Sequence, residues 1–319
     1  MTVPYIVKRV SISLVMIAGS SILIFAVLRA LPGDPVIARL GAARGTDQAT
    51  IDRLRAEAGL DRPVVGQYLS WVAGIAHGDF GRSYVSQRTV SSLIAARLGP
   101  TLELTFLAMT LAVAVAVPAA IAAATRPGGW VDRCVTAAAS AGMAFPPFVA
   151  GILLILLFSV TLKWLPARGY VPLLQNPGQN VRDMVMPALA LCLVAAPLLV
   201  RYLRTELISA LASQFARTAA GKGAPARTVV LRHALRNAAL PSLTMLGLIV
   251  GYTLGGSVIV EYVFGFAGLG SLSVESAFQR DYSVLQSVVL LISVLFILVS
   301  MVIDLLVWSL DPRTRGHRV

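Results

Sequence analysis

An all-α membrane protein with six transmembrane helices is the fold class this sequence predicts, and three observations carry the prediction. The 319 residues are 57% hydrophobic and only 13% charged, with a mean hydropathy of +0.78, whereas a soluble domain carries about 25% charged residues. The apolar residues gather into runs of about 20, the length that crosses hydrocarbon. The basic residues gather in alternate turns between those runs, the side that positive-inside topology assigns to the cytoplasm.

Taken in order, Lys8 and Arg9 precede an uncharged run from Val10 to Leu28. It is long for the apolar region of a signal peptide and leaves through Arg29 to Pro35 without a convincing cleavage site, so an uncleaved first span is expected within residues 1–32. Residues 33–100 are polar and mixed in charge, and form an extracytoplasmic segment with short helices. Thr46 to Ala58 has helical spacing with Gly59 as its stop. Pro63 to Ala76 reads as a second, amphipathic helix. The many arginines here do not oppose the topology, because long loops are largely exempt from the charge rule. The expected role is a structural cap rather than direct substrate contact.

A five-helix core follows over 101–310. Its first span, Thr101 to Thr125, contains Pro118 and has Glu103 near its outer end. Arg126 and Arg133 flank a short inner turn. Cys134 to Leu162 is uncharged and long, and Pro146 and Pro147 near its middle predict a kink or break. Irregular backbone at that depth is tolerated where it lines a cavity, which makes these prolines candidates for the translocation path. Lys163 to Asp183 is read as an outer loop. Met184 to Val200 is the next span, with Pro187 and Pro197 in it, and Arg201 and Arg204 open an inner loop over 201–240. The fifth span, Asn237 to Val260, carries Gly247, Gly251 and Gly255 at intervals of four, with Gly256 beside them. That spacing lets another helix approach closely, in this chain or in a partner. Glu261 to Asp281 reads as a glycine-rich outer loop and Tyr282 to Ile303 as the sixth span. The tail, 311–319, is basic and inside.

Several function classes drop out. Cys134 and Cys192 have neither zinc spacing nor a disulfide framework. His77, His233 and His317 are scattered, and no HExxH, GxSxG or phosphate loop occurs. Gly221-Lys222-Gly223 lacks the Ser/Thr and upstream glycine of such a loop. Neither catalysis nor a metal or cofactor site is expected in this chain. The net charge of +12 raises nucleic acid as a partner, but the charge lies in alternate turns and no aromatic-plus-basic pattern accompanies it. An ATP-independent channel or carrier accounts for six spans equally well. It predicts ionisable groups across the middle of the membrane, where they are nearly absent.

One stretch organises the rest. Gln214 to Pro241 reads QFARTAAGKGAPARTVVLRHALRNAALP, basic and without any Asp or Glu. It resembles the cytoplasmic coupling loop of bacterial ABC-importer permeases, and within them the dipeptide/oligopeptide branch. The acidic first residue of the general loop pattern is Arg217 here, and Thr218 stands second, as is usual in that branch. RALPGDP, GLDRPVVGQYLSWVAGIAHGDFGRSY, VEYVFGFAGLG, Arg280-Asp281-Tyr282 and DLLVWSLDPRTR resemble the same family in order.

The resemblance implies a type I ABC-importer permease fold in a bacterial plasma (inner) membrane, multi-pass, with both termini cytoplasmic. It implies a second homologous permease, two ABC ATPase subunits or domains that carry the ATP and Mg, and an extracytoplasmic substrate-binding protein. Di- or oligopeptides are the implied substrate, with glutathione, a nickel chelate or another small solute carried by the same sequence pattern. A short helix over Phe215, Ala216, Arg217, Thr218, Ala219, Ala220, Gly221, Lys222 and Gly223 is expected to seat on the ATPase through Ala219 and Ala220. Gly223 would make a left-handed turn after it, and Pro241 would start the fifth span. The bland reading of the same stretch is a solvated basic loop with no partner.

Overall fold

The computed structural model describes residues 2–30, 49, 52, 53, 56 and 61–310. The expected helix over Thr46 to Ala58 falls mostly outside these residues, and the tail from Asp311 wholly so. Among the described residues the regular structure is helical, apart from one antiparallel bridge between Arg82 and Thr89. The helices are α1 (Thr2–Ala30), α2 (Val64–Ala76), α3 (Val90–Ala124) and α4 (Trp130–Ala144). They continue as α5 (Pro147–Thr161), α6 (Pro177–Ala212), α7 (Gln214–Gly221), α8 (Ala226–Val263), α9 (Leu269–Phe278) and α10 (Tyr282–Leu310).

Helices α1, α3, α6, α8 and α10 are long and apolar enough to cross a membrane, and α4 with α5 supplies a sixth candidate crossing bent by 96°. The bend falls where the sequence places it. Pro146 and Pro147 have no N–H, so the carbonyls of Gly142 and Met143 lose the donors four residues on. Phe145, which precedes a proline, is pushed to extended backbone (φ −100°, ψ 128°). Pro147 then opens α5, where a missing N–H costs nothing.

Contacts group the chain into two units, Met1–Thr101 with Ala267–Ile297 and Leu102–Phe266 with Leu298–Val319. The core of the first joins Val90 and Ile94 of α3, Leu269 and Leu272 of α9, and Val284 and Val288 of α10. Arg97 ties α3 to α9 through Glu275 at 3.1 Å and Ser271 at 3.2 Å. Asp281 is buried and closes the turn over 83–85, accepting from the Ser83 hydroxyl and, at 3.1 Å, from the Tyr84 amide. The second unit is built along α6, whose apolar window is 72% buried against 33% for α3 and for α8. Alanines face one another at its middle (Ala112, Ala116, Ala195, Ala196) and at one end (Ala120, Ala124, Ala210, Ala234, Ala238), where small side chains let helices approach.

Several boundaries differ from the sequence reading. Helix α3 starts at Val90 rather than Thr101, and Arg97 within it is ion-paired to Glu275. Helix α6 absorbs Asp183 from the expected outer loop and Arg201 and Arg204 from the expected inner one. Asn176 starts it by accepting the Gln179 amide at 3.1 Å. Pro241 does not start the fifth span. Helix α8 begins at Ala226, after Pro225 in extended conformation, and runs through Pro241; the earlier proline had already set the start. Finally, Glu261 to Asp281 is not all loop. Glu261 is buried in the last turn of α8, Gly265 leaves that helix at φ +61°, and α9 begins with the Gly268 amide donating to the Ser271 hydroxyl at 3.2 Å.

Candidate coupling site and the broken helix

Helix α7 is short, and its end explains its sequence. The Gly223 amide donates to the Ala220 carbonyl at 2.9 Å and the Ala224 amide to the Ala219 carbonyl at 3.1 Å. Gly223 sits at φ +82°. These are the paired bonds of a left-handed helix stop, and glycine adopts that φ without strain. The left-handed turn expected at Gly223 is present.

The sequence-predicted coupling residues do not all face one way. Ala216 is the one buried residue of α7, and Ala219, one turn on, is half-buried. Both turn inward, where α7 packs on the turn Val229–Ala234 of α8. Phe215, Arg217, Thr218, Ala220, Gly221, Lys222 and Gly223 are exposed. So Ala219 belongs partly to the chain's own seat, and Ala220 is the small residue offered outward. Val229–Ala234 itself is π-helical, a widening common at functional positions.

One pair at this end was not found in the sequence. Asp132, at the start of α4, is buried and accepts from the Arg204 guanidinium of α6, with one contact at 2.7 Å, and from the Gly128 amide at 2.8 Å. The available signal was an acid inside a basic inner turn, RPGGWVDR, where only a partner justifies it. A second contact anchors α4 further along. A Cβ built on Gly142 would lie 2.8 Å from Pro197 Cγ and 2.9 Å from the Leu193 carbonyl oxygen. That carbonyl is the one Pro197 deprives of its helical donor. The arm α4 is therefore fixed to α6 at both ends, next to the bend at one and towards α7 at the other.

The arm beyond the bend is fixed separately. A Cβ on Gly151 of α5 would lie 2.9 Å from the ring of buried Phe264. Pro147 lies against Gly256 of α8, at 3.7 Å from its built Cβ, while Pro146 is exposed. The glycine face of the fifth span thus divides. A Cβ built on Gly247 would lie 3.1 Å from Ile303 of α10, inside the chain; one built on Gly255, which is exposed, would have no atom within 4 Å. Gly251 lies between them, half-buried. It is Gly256 that brings the fifth span to the broken helix.

The connection over 162–176 is latched to helix ends. Glu103 accepts from the Tyr170 hydroxyl at 2.8 Å and from Asn180 at 2.7 Å. The Asn180 amide also donates to the Val171 carbonyl at 2.8 Å, and the Tyr170 ring meets Phe266 edge-on at 4.8 Å. Burial and the Glu103 carboxylate push the Tyr170 hydroxyl up to about 12. It therefore stays a neutral donor at any physiological pH. Among the described residues no group of acids, histidines and cysteines is placed to hold a metal ion.

Comparison with known proteins places this arrangement. Residues 116–316 match the family described as binding-protein-dependent transport system inner membrane component, and residues 2–105 match its N-terminal membrane component. The glutathione transport system permease protein GsiC of Escherichia coli is 40% identical over 311 residues, 98% of both chains. Its Shigella flexneri counterpart is 39% identical over the same span. Among solved structures, the MetNI methionine ABC transporter in inward-facing conformations aligns with a TM-score of 0.57 at 18% identity, covering 69% of this chain and 96% of that one. That likeness shows the fold alone. The helical fold is that of type I ABC-importer permeases, and the chain belongs to the inner membrane permeases of binding-protein-dependent ABC importers, as a multi-pass, non-catalytic subunit that works with ATPase and substrate-binding partners.

Proposed function

We propose that the chain forms half of the path by which small peptides enter the cell, with glutathione the first substrate to test. The observation that carries this is full-length similarity, at 40% identity, to glutathione permeases; glutathione is itself a small peptide. In this reading α7 seats on a partner ATPase that binds ATP and Mg, while this chain holds neither. Closure of the ATPases moves α7, α6 follows as the same stretch of backbone, and α4 follows α6 through Asp132–Arg204 and Gly142–Pro197. The displacement arrives beside Pro146 and Pro147, where a rigid-body shift opens or closes the path. A second, homologous permease completes the path. The exposed stripe Leu248, Tyr252, Gly255, Ile259 and Tyr262, spaced alternately by four and three, supplies a helix-packing seam for it.

The test is uptake into liposomes holding the chain with its partner permease, ATPases and binding protein. Labelled glutathione, a dipeptide and a nickel chelate are compared. ATP-dependent uptake of glutathione or the dipeptide is the expected result. Uptake of the chelate alone would remove the peptide assignment, and uptake without ATP would make the chain a carrier. The purified chain alone should bind no ATP; stoichiometric binding would contradict a pure permease.

Both termini are proposed to be cytoplasmic, with residues 33–100 outside. A cysteine at Ser86, which is exposed, should react with a membrane-impermeant maleimide added to whole spheroplasts. Labelling only from the cytoplasmic side would invert the topology. Ser83 is unsuitable, since it is buried and its hydroxyl is held by Asp281.

A further inference from the structure

We propose that α2 is an interfacial helix, its outward face lying in the bilayer leaflet at the C-terminal end of α1. The proposal rests on α1 crossing the membrane and is independent of the substrate. Helix α2, VVGQYLSWVAGIA, has no charged residue. Its inward face meets α1: the rings of Tyr68 and Trp71 lie 5.4 Å and 6.0 Å from that of Phe25. The Tyr68 and Ser21 hydroxyls share a hydrogen bond at 2.9 Å. Its outward face is Val65, Leu69, Ala73 and Ala76, all exposed. Their offsets, by fours and a three, keep them on one stripe. A helix facing water carries polar residues on that stripe. Here Val65 and Leu69 stand 69% and 59% exposed.

The contacts with α1 set the depth. Arg29 lies in the last turn of α1, with its guanidinium 5.4 Å from the Phe25 ring centre. A long basic side chain at a span's end keeps its head at the interface. Phe25 and Ser21 lie four and eight residues before it, so about 6 Å and 12 Å deeper along the helix at ~1.5 Å per residue. An interfacial helix buries its apolar face by about 5–10 Å; the Phe25 contacts fall in that range, and the Tyr68 hydroxyl reaches just beyond it to Ser21. At 13 residues, α2 is about 20 Å long, too short for a hydrocarbon core of ~30 Å. Exposed Asp61 and Arg62 precede it and exposed His77 and Asp79 follow it, so both ends return to water. Depth, length, charge and the bare apolar stripe agree on a helix lying flat in the leaflet.

The test places a nitroxide at Val65, Leu69, Ala73 or Ser86, one at a time, in the full chain with Cys134 and Cys192 replaced by alanine. The chain is reconstituted in liposomes of phosphatidylethanolamine and phosphatidylglycerol without other proteins. Collisions with molecular oxygen, which partitions into lipid, are compared with collisions with a water-soluble nickel chelate. We expect the three α2 sites to show several-fold more oxygen and several-fold less chelate collision than Ser86. Values at Leu69 like those at Ser86 would overturn the proposal in favour of a water-exposed surface that awaits another protein. Low collision with both reagents would assign the stripe to protein contact. A label-free arm uses Trp71 fluorescence, with Trp130, Trp164 and Trp308 replaced by phenylalanine. Quenching by lipids brominated near the headgroup is expected, and its absence would overturn the proposal even if a nitroxide had disturbed the helix.

Discussion

Replacing Gly223 by valine, or Ala220 by tryptophan, should leave the chain inserted in the membrane but reduce co-purification of the ATPase about tenfold, a loss of about 1.4 kcal/mol in binding. The two substitutions act differently. At Gly223 a new Cβ meets open space, so its cost is backbone strain: φ +82° disfavours an L side chain by roughly 1–2 kcal/mol, and more for a β-branched one. Relieving that strain swings Ala224 away and breaks its bond to the Ala219 carbonyl, which loosens the end of α7. At Ala220 the helix is untouched, and the bulk projects from the exposed face where a docked helix needs close approach. Substrate-stimulated ATP hydrolysis should fall with complex yield in both. Arg227→Ala, at an exposed charge beyond the turn, is the control and should change little. Normal yield and stimulation in both Gly223→Val and Ala220→Trp would make α7 a solvated basic turn. Ala219→Trp separates nothing, because Ala219 is half-buried against its own chain.

The sequence carried what depends on local chemistry. Hydropathy located the spans, Pro146-Pro147 located the break, and Gly223 located the stop of a short helix read over Phe215 to Gly223 and found over Gln214–Gly221. What stayed illegible depends on partners far along the chain. The spans were read to start at Thr101 and Met184 and to end at Val200, yet Arg97, Asp183 and Arg201 each lie within a helix. Arg97 is neutralised by Glu275, and Asp183 accepts from Gln179 at 2.7 Å. Pro241 was read as a start because a proline is locally compatible with one; only the extended Pro225 upstream shows that the helix was already under way. Composition made Glu261 to Asp281 a loop, and no local signal shows that Leu269 and Leu272 pack on Val90 and Ile94. Three glycines in register suggested one contact face, but which neighbour each meets is tertiary information. It assigns Gly247 to Ile303 and leaves Gly255 bare.

The same logic makes Gly142 the most sensitive glycine of the broken helix, although nothing in SAGMAFPP marks it out. Gly142→Ala should destabilise the protein by about 1–3 kcal/mol, the usual cost of forcing a methyl into a filled site, and should uncouple ATP hydrolysis from uptake. The added methyl would sit 2.9 Å from the Leu193 carbonyl oxygen and 2.8 Å from Pro197 Cγ. Neither is the free end of a flexible side chain. One is backbone and the other a ring, so this end of α4 must move off α6. Asp132–Arg204 still holds the far end of α4, so the movement concentrates at the bend beside Phe145 and Pro146. The comparison is Gly99→Ala in α3, where a Cβ meets nothing within 4 Å. There the better helix propensity of alanine should leave stability unchanged or raise it by up to ~1 kcal/mol. Thermal unfolding in detergent should rank Gly142→Ala below the parent and Gly99→Ala at or above it. Liposome assays should show Gly142→Ala hydrolysing more ATP per substrate molecule taken up. Equal melting temperatures and equal coupling ratios for the two variants would mean that α4 does not bear on α6 at Gly142, and that movement reaches the bend by another route.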